Sequence, residues 1–189
     1  MLKEKSILIL LILIFLINTK NLLANDKSKI IENLNNIETL KFDFIQISTD
    51  KKENGICFLK RPYYLKCEYN DKNKKELIVN RKRLVIYHKR YDKIYNYPLS
   101  KSYFSEILNK EKFGKLINNG TIKKEKGSLL VDCLISEKGQ IIFYFTIDSF
   151  DLKGWDLIGL DNSKISFKIL NTLKNSEIKK DFFNIPDVN

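Results

Sequence analysis

The sequence predicts a mainly β (α+β) protein. The expected form is a strongly curved, incompletely closed antiparallel β-barrel of about 10–11 strands, with helices forming a lid over an apolar cavity. Three observations lead there. Short stretches of alternating apolar and polar residues recur along most of the chain, divided by turn signals such as Lys126-Gly127, Lys138-Gly139 and Asp161-Asn162. Helical spacing occurs in only a few places. A single sheet of about ten strands must curl or close, and so few helices cannot cover both of its faces. They are therefore expected inside the concavity or across its mouth, the arrangement that houses apolar ligands in half-closed barrels.

The first residues stand apart from this pattern. A basic start, Met1 to Lys5, precedes an unbroken apolar run, Ile7 to Ile17, of 11 residues. A bilayer span needs about 20. Polar Asn18 to Asn21 and then Leu22-Leu23-Ala24 complete the layout of a secretory signal peptide, residues 1–24, with cleavage after Ala24. An uncleaved anchor is the alternative. No cysteine follows the run, so no lipid attaches there, and residues 25–189 are expected as a single domain free in solution. The precursor's +11 includes a net +2 from Lys3, Glu4, Lys5 and Lys20, which leaves +9. Lysine far outnumbers arginine, and the charge reads as solvated faces rather than a nucleic-acid surface.

Asp26 to Glu38 places Ile30, Ile31, Leu34 and Ile37 on one helix face, with Asp26 as a cap. From Leu40 the period becomes two, and Phe42, Phe44 and Gln46 share a strand face. Gly55 opens a hairpin whose arms surround Pro62. Glu76–Asn80, Leu84–Tyr87 and Tyr91–Tyr97 continue the strands, and Pro98 ends the last of them. Ser100 to Asn109 is a second helical piece with Tyr103, Phe104, Ile107 and Leu108 in one stripe. Five strands follow: Thr121–Lys126, Leu129–Ser136, Ile141–Ile147, Trp155–Leu160 and Lys164–Leu170. Ser176–Phe183 forms a last helical turn.

Within the hairpin, a Pro62-Tyr63-Tyr64 loop would pair Arg61 with Leu65 and set Leu59 against Cys67. Cys57 then lies diagonal to Cys67, beyond easy reach of a disulfide. Cys133 makes the cysteine count odd. His88, the only histidine, falls in a turn-like His88-Lys89-Arg90. One histidine supplies neither a metal cluster nor a triad base, and no G-x-S-x-G elbow is present. An enzyme, a metal and a cofactor are therefore not expected.

Several stretches together resemble the LolA family of periplasmic outer-membrane lipoprotein carriers. They are Phe44-Ile45-Gln46, Gly55 followed by Leu59-Lys60-Arg61-Pro62, Glu76–Asn80 with Leu84–Tyr87, and Pro98-Leu99 leading into a helix. Asn80-Arg81 departs from the family's Asp-Gly turn. Arg81 must there accept a positive φ, or the loop must run on through Lys82. The resemblance implies a monomeric periplasmic carrier. It would take acyl chains of lipoproteins from an inner-membrane lipoprotein-releasing ABC transporter and deliver them to an outer-membrane lipoprotein receptor. The expected cavity residues are Phe42, Phe44, Leu59, Leu65, Tyr69, Leu77, Val79 and Ile86 of the strands and Tyr103, Phe104, Ile107 and Leu108 of the lid, each of which could equally be plain core. Arg61 would latch the lid through the backbone of Leu34, Ile107 and Leu108; the alternative is an arginine that snorkels to water. A carrier of another lipid or glycolipid, or an envelope stress sensor, would share the same fold.

Overall fold

A computed structural model describes residues 25–187. The expected signal peptide lies outside the described residues. Helix α1 covers residues 25–35 and buries Ile30 and Leu34; Asp26 sits within it rather than at its cap. Ile37, expected on the helix, is buried just beyond its end. Six strands follow: β1 (Thr39–Ser48), β2 (Lys51–Lys60), β3 (Tyr64–Tyr69), β4 (Lys75–Asn80), β5 (Arg83–His88) and β6 (Lys93–Pro98). A short helix α2 (Phe104–Ile107) and a longer α3 (Lys110–Asn119) interrupt the strands. Then come β7 (Thr121–Glu125), β8 (Ser128–Ile135), β9 (Gly139–Thr146), β10 (Leu152–Ile158) and β11 (Lys164–Lys174).

All 11 strands form one antiparallel sheet in the order β6-β5-β4-β3-β2-β1-β11-β10-β9-β8-β7. The first and last strands of the sequence order thus meet in the middle, β1 against β11, and β6 and β7 are left as open edges. The concave face is built by cross-strand rows. One runs Leu40, Leu59, Leu65, Val79, Leu84; the next runs Phe42, Cys57, Cys67, Leu77, Ile86. Stacked rings carry that face across the central seam. Phe44 lies 5.0 Å from Phe167, and Phe167 lies 4.3 Å from Trp155. Such pairs add about 0.5–1.5 kcal/mol beyond burial. Gly55 admits the Phe44 ring: a Cβ there would meet the Glu68 carbonyl oxygen at 2.0 Å and the ring at 2.9 Å.

The convex face has its own cover. The chain after β11 returns over β2 to β4, where Phe182 packs on Phe58 at 4.8 Å and Phe183 on Tyr64 at 5.6 Å. Ile78 and Val85, which face outward, are fully buried. The expected last turn is a 3-10 helix, Lys180–Phe183.

Several sequence expectations are corrected. The hairpin register is Leu59 with Leu65 and Lys60 with Tyr64, so Cys57 lies directly opposite Cys67 and not diagonal to it. Their Cα atoms are 4.0 Å apart and the sulfurs are bonded, the close approach of a directly facing pair. The loop is Arg61-Pro62-Tyr63, with a cis Arg61–Pro62 bond, one residue earlier than the expected Pro62-Tyr63-Tyr64. His88 ends strand β5, its ring 5.8 Å from Tyr95, rather than standing in a loop. Lys110–Asn119, not expected as a helix, is α3. The β4–β5 connection is the two-residue Arg81-Lys82, and Arg81 does take a positive φ, 57°.

Cys133 is a buried free thiol whose pKa burial pushes up to about 12, so it stays protonated at pH 8. Thiol titration at that pH is expected to find essentially none in the native protein, one after denaturation and three after reduction. Replacing Cys57 and Cys67 by serine should cost about 2–3 kcal/mol in a denaturant melt, as expected for so short a closed loop.

Candidate functional site

The concave face and the helices enclose a cavity of about 300 Å³. Its wall is apolar almost throughout. Of the residues expected there, Phe42, Leu59, Leu65, Tyr69, Leu77, Ile86, Phe104, Ile107 and Leu108 line it. Three do not. Phe44 is buried between Tyr69 and Phe167 and fills the interior beside the cavity. Val79 is fully buried in the core. Tyr103 turns away, and its hydroxyl donates to the Lys138 carbonyl.

The other half of the wall went unnoticed in the sequence. Leu152, Trp155 and Leu157 from β10, with Ile165, Phe167 and Ile169 from β11, also line the cavity. Strict alternation cannot place Leu152 and Trp155 on one face. A bulge does: Leu152 pairs with Phe145 and Gly154 with Tyr144, so Lys153 is the extra residue. Gly154 takes a φ of 148°, and a Cβ there would meet the Phe167 carbonyl oxygen at 2.1 Å. Phe113 of α3 closes the cavity from above, its ring 5.0 Å from Phe143. Signals for α3 were present: Asn109 at the cap, Glu111 in the first turn, and Phe113, Leu116 and Ile117 at helical spacing. Asn109 does cap the helix, accepting from the Lys112 amide at 2.9 Å, and its side-chain amide donates to the Tyr63 hydroxyl at 2.7 Å.

The cavity has two different ends. At one, a polar cluster stops the apolar wall. Tyr69 donates to Gln46 at 3.1 Å, and Lys75 pairs with Glu53 at 2.6 Å while lying 3.7 Å above the Tyr69 ring. Burial and the nearby carboxylates of Glu53 and Asp71 raise the Tyr69 pKa, so the phenol remains a donor at neutral pH.

At the other end stands Arg61, 8% exposed. Its Nη1 donates to the carbonyls of Leu108 at 3.2 Å and Ile107 at 3.4 Å. Leu34, the third expected partner, lines the cavity beside it, but the side-chain hydrogen bonds described for Arg61 go to Ile107 and Leu108. The guanidinium carbon lies 5.9 Å over the Phe113 ring. Burial lowers the Arg61 pKa to about 10, opposed by Glu38; the group is still a cation at neutral pH. No carboxylate forms an ion pair with it among the described residues.

The same lid segment is gripped from the opposite arm of the sheet. Lys138, in the β8–β9 turn, donates to the Ser105 hydroxyl at 3.0 Å and the Ser102 carbonyl at 3.2 Å, and pairs with Glu106 at 3.4 Å. Residues 102–108 thus bridge two hairpin tips, one bearing Arg61 and one bearing Lys138. This second grip carried no signal in the sequence, because Lys138 reads as an ordinary turn lysine.

An open curved sheet with a lidded apolar cavity defines the class: a binding protein for apolar ligands. The model of the family described as outer membrane lipoprotein carrier protein LolA matches residues 35–186, and the chain belongs to that family. No curated protein matches the chain. Solved structures share the fold at low identity. A conserved protein from Thermus thermophilus aligns with a TM-score of 0.54 at 6% identity, over 86% of this chain and 93% of its own. A DUF1329 family protein from Desulfovibrio piger gives 0.50 at 8%, over 86% and 97%. MucB gives 0.50 at 9%, over 87% of this chain and 63% of its own. Among the described residues no helix is long and apolar enough to cross a membrane, and no cluster of metal-ligating side chains occurs.

Lys138→Ala removes three of the contacts holding residues 102–106 to the far arm. Hydrogen–deuterium exchange of the 104–108 amides should accelerate roughly ten- to thirtyfold, in line with about 1.5–2 kcal/mol of lost hydrogen bonding. Amides of β1 and β2 should keep their protection.

Proposed function

We propose that this protein is a soluble periplasmic carrier that binds the acyl chains of lipoproteins released from the inner membrane and delivers them to an outer-membrane receptor. The observation that carries the reading is the pairing of an almost wholly apolar cavity with a lid held by two hydrogen bonds from a buried arginine. Acyl chains cannot cross water exposed, since each methylene is worth about 0.8 kcal/mol. The cavity, about 300 Å³ with the helices in place, lies at the lower bound of ordinary ligand pockets. Three chains need more room, so loading requires that α2 and α3 lift from the sheet.

Energetics favour such an exchange. Hydrogen bonds from a charged donor contribute about 1.5–3 kcal/mol each, and the Arg61 bonds, at 3.2 and 3.4 Å, belong toward the weaker end. About four methylenes offset them. Arg61 regains those bonds when cargo leaves, which favours the closed, empty state and assists release without ATP. Cargo affinity and latch strength therefore oppose each other. The single tryptophan, Trp155, lies in the cavity wall and reports occupancy directly.

Two experiments test the reading. Acylated peptides with brominated chains should quench most of the Trp155 emission, whereas the same peptides without acyl chains should not; equal quenching by both would count against the cavity as the acyl site. Arg61→Leu should melt within a few degrees of the parent and still load lipoprotein, but transfer to the receptor should fall at least tenfold because the closed state has lost its hydrogen bonds. Normal transfer by that variant would remove the latch from the mechanism. Mass spectrometry of material co-purified from the periplasm should find triacylated protein; free phospholipid or glycolipid alone would favour a different cargo.

A further inference from the structure

A second concavity lies on the far side of Arg61, with a volume of about 780 Å³, more than twice that of the acyl cavity. Arg61 contributes to the walls of both. Arg81, Lys82, Lys112 and Lys180 also line the cleft, against one carboxylate, Glu106. That carboxylate is already engaged by Lys138 at 3.4 Å and by Lys112 at 3.9 Å. Among the described residues, Arg61, Arg81, Lys82 and Lys180 form no ion pair. Arg61 is more than nine-tenths buried, and its Nε has no hydrogen-bond partner. A buried donor left open in this way is stabilised by any acceptor that reaches it.

The positive field is felt by Tyr64 beside the cleft. Its hydroxyl accepts from Arg81 Nε at 3.3 Å. That bond, with the charges of Arg81, Lys180 and Lys60, pulls the phenol below its ordinary pKa. Apolar surface from Pro62, Tyr63 and Leu99 alternates with these cations. The size and the mixture suit an extended peptide better than a lone phosphate. The route is also constrained. Polar contacts among Gln46, Glu53, Tyr69 and Lys75 stop the apolar cavity at its other end, so the head of a bound acyl group is best placed at the Arg61 end, next to the cleft.

We propose that this cleft is the vestibule through which the cargo's polypeptide leaves the acyl cavity, and that it favours an acidic segment next to the acylated residue. The proposal rests on reading the cavity as the acyl site. Carboxylates of that segment pair with Lys82, Lys180 and Arg81. Displacement of the lid frees Arg61 from Ile107 and Leu108, and the same guanidinium can then turn its donors toward the cargo.

The test uses the full mature protein and short triacylated cysteinyl peptides that carry two aspartates, two asparagines or two lysines after the cysteine, with Trp155 emission as the readout. At low ionic strength the aspartate peptide is expected to bind about tenfold tighter than the lysine peptide, with the asparagine peptide between them. The gap should shrink as salt is raised. The double variant Lys82→Glu, Lys180→Glu alters exposed side chains and should melt like the parent, and it should reverse the order of the peptides. Equal affinities in the parent protein, or an acidic preference unchanged in the double variant, would overturn the vestibule and leave the acyl cavity standing. Preference for phosphatidylglycerol over phosphatidylcholine without discrimination among the peptides would assign the cations to lipid headgroups and overturn it too. Failure of all three peptides to bind would overturn the acyl site itself.

Discussion

An unclosed sheet is the constraint on which this structure depends. Eleven strands curl around a face of leucine, phenylalanine and tryptophan, yet β6 and β7 never meet. That face must be covered by something other than sheet. Helices α1, α2 and α3 supply the cover, and no strand pairing fixes it. Full closure would remove the edges but also the lid. The price of the arrangement is that a few side-chain contacts must hold what backbone ladders hold elsewhere.

Arg61 and Lys138 make those contacts from opposite arms of the sheet. They differ in kind. Lys138 is a partly exposed lysine with a carboxylate partner, and its hold on Glu106 is weakened by water and salt. Arg61 is buried, carries its charge without an ion-pair partner among the described residues, and bonds only to main-chain carbonyls. A buried cation kept in place by two long hydrogen bonds is costly to maintain and easy to displace. That combination fits the latch proposed for the cavity, whose open and closed forms would have to stay close in energy. The disulfide between Cys57 and Cys67 lies in the same hairpin, four residues along the strand from the arginine, and stiffens the arm that presents it.

The apolar cavity and the basic cleft meet at that same side chain. One side of Arg61 is an apolar wall, the other a cationic surface. Cargo with a greasy anchor and a polar chain has this same division. Its two parts would meet surfaces of matching character only if the junction sits at Arg61, as the proposed carrier requires.

The period-two runs and the turn signals determined the fold class and the part of the cavity wall from β1 to β5, and the helical stripe of Phe104, Ile107 and Leu108 its lid side, because periodicity directly encodes which face is buried. Arg61 follows Cys57 and Leu59 at the same period of two, a charge at the end of an apolar row. Register was not encoded as firmly. A one-residue difference in the Arg61-Pro62-Tyr63 loop separates a diagonal cysteine pair from a bonded one, and local sequence barely distinguishes the two. The bulge at Lys153, which brings Leu152 and Trp155 to one side, follows from the close approach of Gly154 to the Phe167 backbone, a contact between strands. Lys138 and the cleft were invisible for a related reason. Their character comes from which hairpin tips the curled sheet brings together, and only the tertiary structure sets those distances.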